Sequence, residues 1–389
     1  MQIILAATGK FHFLDLARQM SRLGVLANYF TGYPKWKLGD TGLRPGVVRH
    51  VPLLHSAYML SQRWNWLPPP LSRELDYLDR REFDRTVARH LTPCDVYTAI
   101  SSCGLASGQV AQRLGARYVC DRGSTHIETQ NELLRAEYEK WKIPYQAIDP
   151  RVMDRERAEY EMADLITVPS QFAKKSFIQS GVDESKVAVL PYGVDLSQFQ
   201  AVAEPTPGTF VVAFVGGVNL RKGVQYLLQA FAELRVPGKT LQLIGRADPL
   251  FTKHLESRPW WTHEVVLRGH VPQEELRNHL SRAHVLVLPS VEDGFGLVAS
   301  QALACGCPVI ATRNTGAHEL IDDGQNGYVV DAGNTAQLKH ALERIADERG
   351  NANMRHNAIN SVSAPGGWDS YGDRVLTAYM NLCRESMAP

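Results

Sequence analysis

The sequence predicts an α/β protein of two domains, each a parallel sheet wrapped in helices, and three observations carry that reading. Short apolar runs recur between helix-patterned stretches, which is how strands buried on both faces appear in a sequence. The chain has 389 residues, enough for two domains of ordinary size, and its 44% hydrophobic content supplies two cores. Between the halves, residues 200–208 (QAVAEPTPG) are small, polar and proline-bearing, as a linker should be. The expected division is 1–200, then 209–367, with 368–389 as a last helix.

In the first domain, Gln2 to Ala7 reads as a buried strand and Thr8-Gly9-Lys10 as a turn. A helix follows from His12 to Leu23, with Leu16, Met20 and Leu23 at helical spacing and Gly24 as its stop. Gly9 reads equally well as a tight turn or as backbone kept close to a ligand. Around Trp64, Trp66, Leu67 and the run Pro68-Pro69-Pro70, a packed helical hairpin with a proline-stiffened turn is preferred. Its rival is a surface for membrane or a lipid-linked acceptor. Leu75 to Leu91 reads as an amphipathic helix whose Asp79, Arg80, Arg81 and Glu82 form a solvated face.

From Asp95 the strand–helix rhythm is regular. Asp95 to Ile100 is a strand, Ser101 to Gly104 a turn, Ala106 to Leu114 a helix and Ala116 to Asp121 the next strand. That strand ends in Arg122-Gly123-Ser124-Thr125-His126, the place where ligand contacts fall in a parallel sheet. His126 and Arg122 are therefore candidates, although a lone His is more often structural. Leu165 to Pro169 is a further strand, and Ser170 caps a helix to Ser180.

The second domain opens with a strand from Thr209 to Val215, then Gly216-Gly217 and a loop to Arg221-Lys222-Gly223 before a helix. Strands Leu241 to Gly245 and Val265 to Val271 and a helix Gln273 to Ala283 follow. Next comes the most informative stretch, HVLVLPSVEDGFGLVASQALACGCPVIATR, from His284 to Arg313. It reads as a strand to Ser290, a glycine turn Val291 to Gly296, a helix Leu297 to Ala304 stopped by Gly306 and Pro308, and a strand from Cys307 to Thr312. A glycine turn feeding a helix at the end of a parallel strand is where such sheets hold phosphorylated ligands.

Composition excludes several classes. A formal net charge of +1 offers no basic excess for nucleic acid. Six scattered cysteines make no disulfide framework, and Cys305 and Cys307 read as small packing residues. The opening MQIILAATGK is a strand, not a signal peptide, and no run approaches a membrane span, so the cytosol is expected.

The His284 to Arg313 stretch resembles the nucleotide-sugar signature of the retaining glycosyltransferases of family 4. It matches at Pro289-Ser290, Gly294-Phe295-Gly296, Ala302, Ala304, Gly306 and Pro308-Val309, with Asp293 and Gln301 where the family has two Glu. Lys222-Gly223 matches the family's Lys-Gly, while Gly217 stands where an Arg is usual; Arg221 is the candidate replacement. Tyr192-Gly-Val-Asp195, leading to Phe199, resembles the motif that closes the first domain, with Tyr192 for an Asn.

The resemblance implies the GT-B architecture, two Rossmann-like domains facing across a cleft, with the final helix crossing back to the first. It implies a retaining transfer of a hexosyl group from a nucleotide-sugar, UDP-linked by preference and GDP-mannose next, to a glycan or lipid-linked acceptor in polysaccharide biosynthesis. Its donor site would draw on Gly9, Gly216, Gly217, Arg221, Lys222, Gly245, His270, Val271, Asp293, Gly294, Phe295, Gly296, Leu297 and Gln301. The implied catalytic residues are His126, Asp293 and Lys222, with Arg122 and Glu292 as acceptor or sugar candidates. No Asp-x-Asp triplet occurs, so neither metal nor cofactor is expected. A lipid-linked acceptor would bring the chain to the inner face of the membrane as a peripheral contact. Two rivals remain: a hydrolysing sugar-nucleotide epimerase on the same fold, and a catalytically weakened nucleotide-sugar-binding scaffold.

Overall fold

The apolar runs become two all-parallel sheets. A computed structural model describes the chain except residues 52, 65–66, 146–147, 196, 348–351, 364–366 and 386–389. The first sheet contains β1 Ile3–Ala7, β2 Leu26–Thr31, β3 Val48–His50, β4 Val96–Ile100, β5 Arg117–Asp121, β6 Leu165–Val168 and β7 Val187–Val189. The second contains β8 Phe210–Val215, β9 Lys239–Ile244, β10 Val265–Gly269, β11 Val285–Leu288, β12 Val309–Thr312 and β13 Gly327–Val330.

In chain order the helices are α1 Phe13–Arg22, α2 Lys35–Leu38, α3 Leu53–Trp64, α4 Pro69–His90, α5 Leu105–Arg113, α6 Ile127–Lys140, α7 Pro150–Met162 and α8 Gln171–Gln179. They continue with α9 Val224–Glu233, α10 Pro249–Glu256, α11 Gln273–Arg282, α12 Val298–Ala304, α13 Thr335–Asp347, α14 Ala352–Ser363 and α15 Trp368–Glu385. The strand orders are β3-β2-β1-β4-β5-β6-β7 and β10-β9-β8-β11-β12-β13. Each order reverses once, between β1 and β4 and between β8 and β11. Ligands of doubly wound sheets sit outside the carboxyl ends of strands at such a reversal.

Each sheet is covered by apolar clusters. Leu227, Phe231, Leu342 and Val287 belong to one cluster of the second domain, and Leu286, Leu303, Val309 and Ala358 to another. The last helix leaves the second domain altogether. Tyr371, Val375 and Tyr379 of α15 are buried with Ile3, Leu5, Phe13 and Met20, and the Thr98 hydroxyl donates to the Tyr379 hydroxyl at 2.9 Å.

Two expectations need correction. The α3–α4 hairpin exists, yet Trp64 is not its buried anchor: 68% of it is exposed, and Trp66 lies outside the described residues. The charges of α4 are not all a solvated face. Asp79 is buried with its carboxylate 2.8 Å from His55 Nδ1, and Arg80 is bonded to Asp76 and to the Ser102 hydroxyl. At helical spacing, Asp79 lies one turn from Phe83 and two from Val87 and shares their inward face, and a partner on the neighbouring helix makes the buried charge tolerable. The sequence reading also passed over β2, β3, α6 and α7.

Candidate active site

Two glycines shape the second domain's half of the cleft. Gly223 has φ +69, and a Cβ there would stand 1.8 Å from the Pro289 carbonyl oxygen. Only glycine lets the Arg221–Lys222 turn press onto the end of β11. Gly245 has φ +140 and rests on Gly216, where a Cβ would meet the carbonyl oxygen at 2.0 Å, so the ends of β8 and β9 close together.

The result is a pair at the strand-order reversal. Lys222 Nζ donates to Asp293 Oδ2 at 2.5 Å, with both side chains partly open to solvent. Asp293 is held by its backbone: its N–H donates to the Asn314 carbonyl at 2.9 Å and its carbonyl accepts from Gly316 N–H at 3.2 Å. Gly294, Phe295 and Gly296 follow, with Phe295 buried and Gly296 at φ +75 before the helix that starts after Leu297. Gln301 is partly exposed one turn into α12, and among the described residues its side chain has no partner. Gly217 lies beside Asn219 and Arg246. His270 is exposed and Val271 half-buried after β10, near Gly245, whose N–H donates to the Gly269 carbonyl at 2.7 Å. Gly9 follows β1, on the opposite wall.

Four candidate side chains are employed otherwise than the sequence suggested. Arg221 does not join Lys222. Its Nε donates to Glu292 Oε2 at 2.8 Å and its Nη2 to the Ser124 hydroxyl at 3.0 Å. Glu292 is fully buried and cannot serve as a mobile sugar ligand. Its Oε1 accepts from Ser124 Oγ at 2.6 Å, Thr125 Oγ1 at 2.9 Å and Thr125 N–H at 3.2 Å, and its Oε2 accepts from Gln130 Nε2 at 2.9 Å. Burial alone would raise its carboxyl pKa, but the Arg221 charge and the bonds from Ser124, Gln130 and Thr125 hold it down at about 2.

Arg122 is likewise consumed below the cleft wall. It donates to the Thr125 carbonyl at 3.0 Å, Glu156 at 2.9 Å, Gln130 Oε1 at 2.9 Å and the Ser101 hydroxyl at 3.3 Å. A guanidinium has five donors, so little is left for an acceptor.

His126 stands at the start of α6, where its Nδ1 accepts from Glu128 N–H at 3.3 Å. Its ring packs 5.0 Å from Tyr160 and 5.1 Å from Phe177. It lines a groove of about 850 Å³ with Glu132, Arg157, Gln179 and Lys186. The far end of α8 forms that groove, whereas the near end, Ser170, donates to the Gly294 carbonyl at 2.6 Å. Burial, then the charges of Arg122 and Arg157, lower its pKa to about 4, so the ring is neutral at pH 7.

Residues passed over in the sequence form the cleft floor. His12 Nε2 lies 3.0 Å from Asp121 Oδ1, both buried, and the imidazole stacks on Tyr192 at 4.2 Å. Tyr192 in turn meets Phe295 edge-on at 5.1 Å. Their signal was positional: Asp121 ends a strand and His12 follows the Gly9 turn.

Comparison with known proteins agrees with this geometry. The profile of "Glycosyltransferase Family 4" matches residues 10–198 and that of "Glycosyl transferases group 1" matches residues 209–348. A D-inositol 3-phosphate glycosyltransferase of Pseudarthrobacter chlorophenolicus is 30% identical over 59% of this chain and 59% of its own length. A GDP-mannose-dependent alpha-(1-6)-phosphatidylinositol monomannoside mannosyltransferase of Mycolicibacterium smegmatis is 30% identical over 55% of this chain and 61% of its own. The chain thus aligns with little more than half of these relatives. Sucrose-phosphate synthase of Thermosynechococcus elongatus shares the fold at a TM-score of 0.74 and 21% identity, over 98% of this chain and 99% of that one. With both profiles laid end to end over two parallel-sheet domains that meet at the signature turn, the chain belongs to the family 4 glycosyltransferases, of GT-B architecture.

Proposed function

We propose that the chain is a retaining glycosyltransferase that moves a sugar from a nucleoside diphosphate donor to a hydroxyl of a glycan or lipid-linked acceptor. The Lys222–Asp293 pair at the β8/β11 reversal carries the reading. The donor's diphosphate takes the Lys222 ammonium, and its sugar hydroxyls donate to the Asp293 carboxylate. Amides of Gly294 to Gly296 and the uncommitted Gln301 side chain complete the grip on phosphate and ribose. The acceptor hydroxyl attacks the anomeric carbon on the face the phosphate leaves, and the departing phosphate oxygen takes its proton. Lys222 stabilises the charge that grows on that oxygen, an interaction stronger in the transition state than before it. No metal is needed in this scheme.

UDP-sugars stand first as donors on the family resemblance. GDP-mannose stands next, the donor for which the mycolicibacterial relative is named. No helix among the described residues is long and apolar enough to cross a membrane. Phe11, Trp36 and Trp64 are exposed on the first domain, with Lys35 and Lys37 flanking Trp36, a composition suited to a lipid-linked acceptor at an anionic surface. A panel of nucleotide-sugars, assayed for free nucleotide with and without acceptors and with chelator, tests the proposal. Release that requires an acceptor and survives chelation supports it. Release without acceptor points to the hydrolysing epimerase, and binding without turnover to the scaffold.

A further inference from the structure

Two neighbouring charged pairs connect the Arg221–Lys222 turn with the Glu292–Asp293 turn. Lys222 pairs with Asp293 in the cleft, whereas Arg221 pairs with Glu292 inside the contact between domains. The second pair is embedded in the first domain. Ser124 Oγ, Thr125 Oγ1, Thr125 N–H and Gln130 Nε2 all donate to the Glu292 carboxylate, and Arg221 Nη2 also reaches the Ser124 hydroxyl. Behind them, Arg122 ties Gln130 to Glu156.

The backbones close with the side chains. A Cβ at Gly294 would lie 2.1 Å from the Gly123 carbonyl oxygen, so bare backbone from each domain meets here. A fully buried carboxylate such as Glu292 must recover a desolvation cost of several kcal/mol through its ion pair and hydrogen bonds of good geometry, the Arg221 side chain being one-third exposed. Those bonds exist only when the two domains are together, because most of the donors to Glu292 belong to the other domain.

We propose that Glu292 and Arg221 are positioning residues: a clasp that closes the two domains and, through their neighbours in the chain, sets the Lys222–Asp293 pair for the donor. Each clasp residue is one peptide from a donor residue, so a shift of either turn moves both pairs. Closure and ordering of the donor site are then one event. By linkage, a ligand that holds Lys222 must in turn favour the clasped form. This inference rests on the donor-site reading of Lys222 and Asp293, but its physical half needs no turnover to be measured.

The test uses Glu292→Gln, which keeps the shape and removes the charge, and Ser124→Ala on the opposite wall. Small-angle scattering and amide exchange are recorded on the full chain, with and without UDP or GDP. Both variants are expected to show a larger radius of gyration and at least tenfold faster exchange at Thr125, with a nucleoside diphosphate partly restoring each. In Glu292→Gln the kcat is expected to fall at least tenfold, while KM for the donor changes less. Wild-type scattering and exchange in both variants would overturn the clasp. Opened domains with unchanged kcat and no restoration by the nucleotide would overturn the coupling. If wild type turns over no donor in the panel, the function fails while the scattering and exchange still decide the clasp.

Discussion

Replacing Asp293 by Asn should tighten the binding of a nucleoside diphosphate that lacks its sugar. In the structure Lys222 Nζ sits 2.5 Å from Asp293 Oδ2, so a diphosphate must compete with a carboxylate for the ammonium. The pair is partly solvated, with 22% and 16% of the two side chains exposed, which places its worth near the exposed-pair range of about 0.5–1 kcal/mol. Removing that competition should lower Kd roughly two- to fivefold. Lys222→Ala has the opposite sign. It deletes a charged hydrogen bond worth about 1.5–3 kcal/mol, a loss of roughly ten- to a hundredfold in affinity. With the intact donor, Asp293→Asn should lower kcat/KM, because Asn offers the sugar hydroxyls only one neutral acceptor. Calorimetry with UDP and GDP, beside steady-state kinetics with the donor, separates the two effects. If Asp293→Asn weakens free diphosphate as much as Lys222→Ala does, the competition argument is wrong.

Further outcomes follow from three particular residues. Gln301→Glu should hold or tighten donor binding if Gln301 bonds the ribose, since a carboxylate accepts more strongly; a large loss in both Kd and kcat would instead place an anion beside it. His126 is neutral in the fold with a pKa lowered to about 4, so its site binds fewer protons than the unfolded chain below pH 6.5. Stability from this site is complete above about pH 6.5 and declines as pH falls towards 4, and His126→Gln should flatten that part of a melting-temperature profile. The same variant tests catalysis: undiminished kcat would make the ring a packing residue, as its contacts with Tyr160 and Phe177 suggest. Gly223→Ala should cost at least about 1–3 kcal/mol from backbone strain, and a clash with the Pro289 carbonyl adds to it; an unchanged unfolding midpoint would contradict this.

What the sequence disclosed follows from how local the physics was. Strands such as β8 and β11 are continuous apolar runs, and the Gly294-Phe295-Gly296 turn declares itself by composition, so sheet and turn were legible. Helices α6 and α7 were not. α7 buries Glu156 and Glu159 against Arg122 and the N–H groups of Ser102 and Gly104, and α6 carries an interdomain role: Glu137 accepts from Gln225 Nε2 at 2.9 Å and Lys140 donates to the Tyr226 hydroxyl at 2.8 Å. Polar residues buried against another domain dilute the helical apolar stripe. The same reason defeated the roles of Arg221 and Glu292. Adjacent to Lys222 and Asp293 in sequence, they looked like spare ligands, and nothing local shows that Ser124, Thr125 and Gln130 wait for them across the cleft. Asp79 was misread for want of its partner, His55, on another helix.

The placement of α15 bears on how the protein is made. Tyr371, Val375 and Tyr379 are buried in the cluster that holds Ile3, Leu5, Phe13 and Met20, so the outer side of α1 lacks part of its cover until α15 has left the ribosome. The first domain synthesised is thus completed after the second. During translation its nascent sheet must wait with apolar surface open, a state that invites aggregation or chaperone capture. Residues 1–198 expressed by themselves would keep that face exposed, and truncation before Trp368 would damage the domain of β1–β7 and not only the one it follows. Supplying 368–385 as a separate peptide would then be a way to recover it.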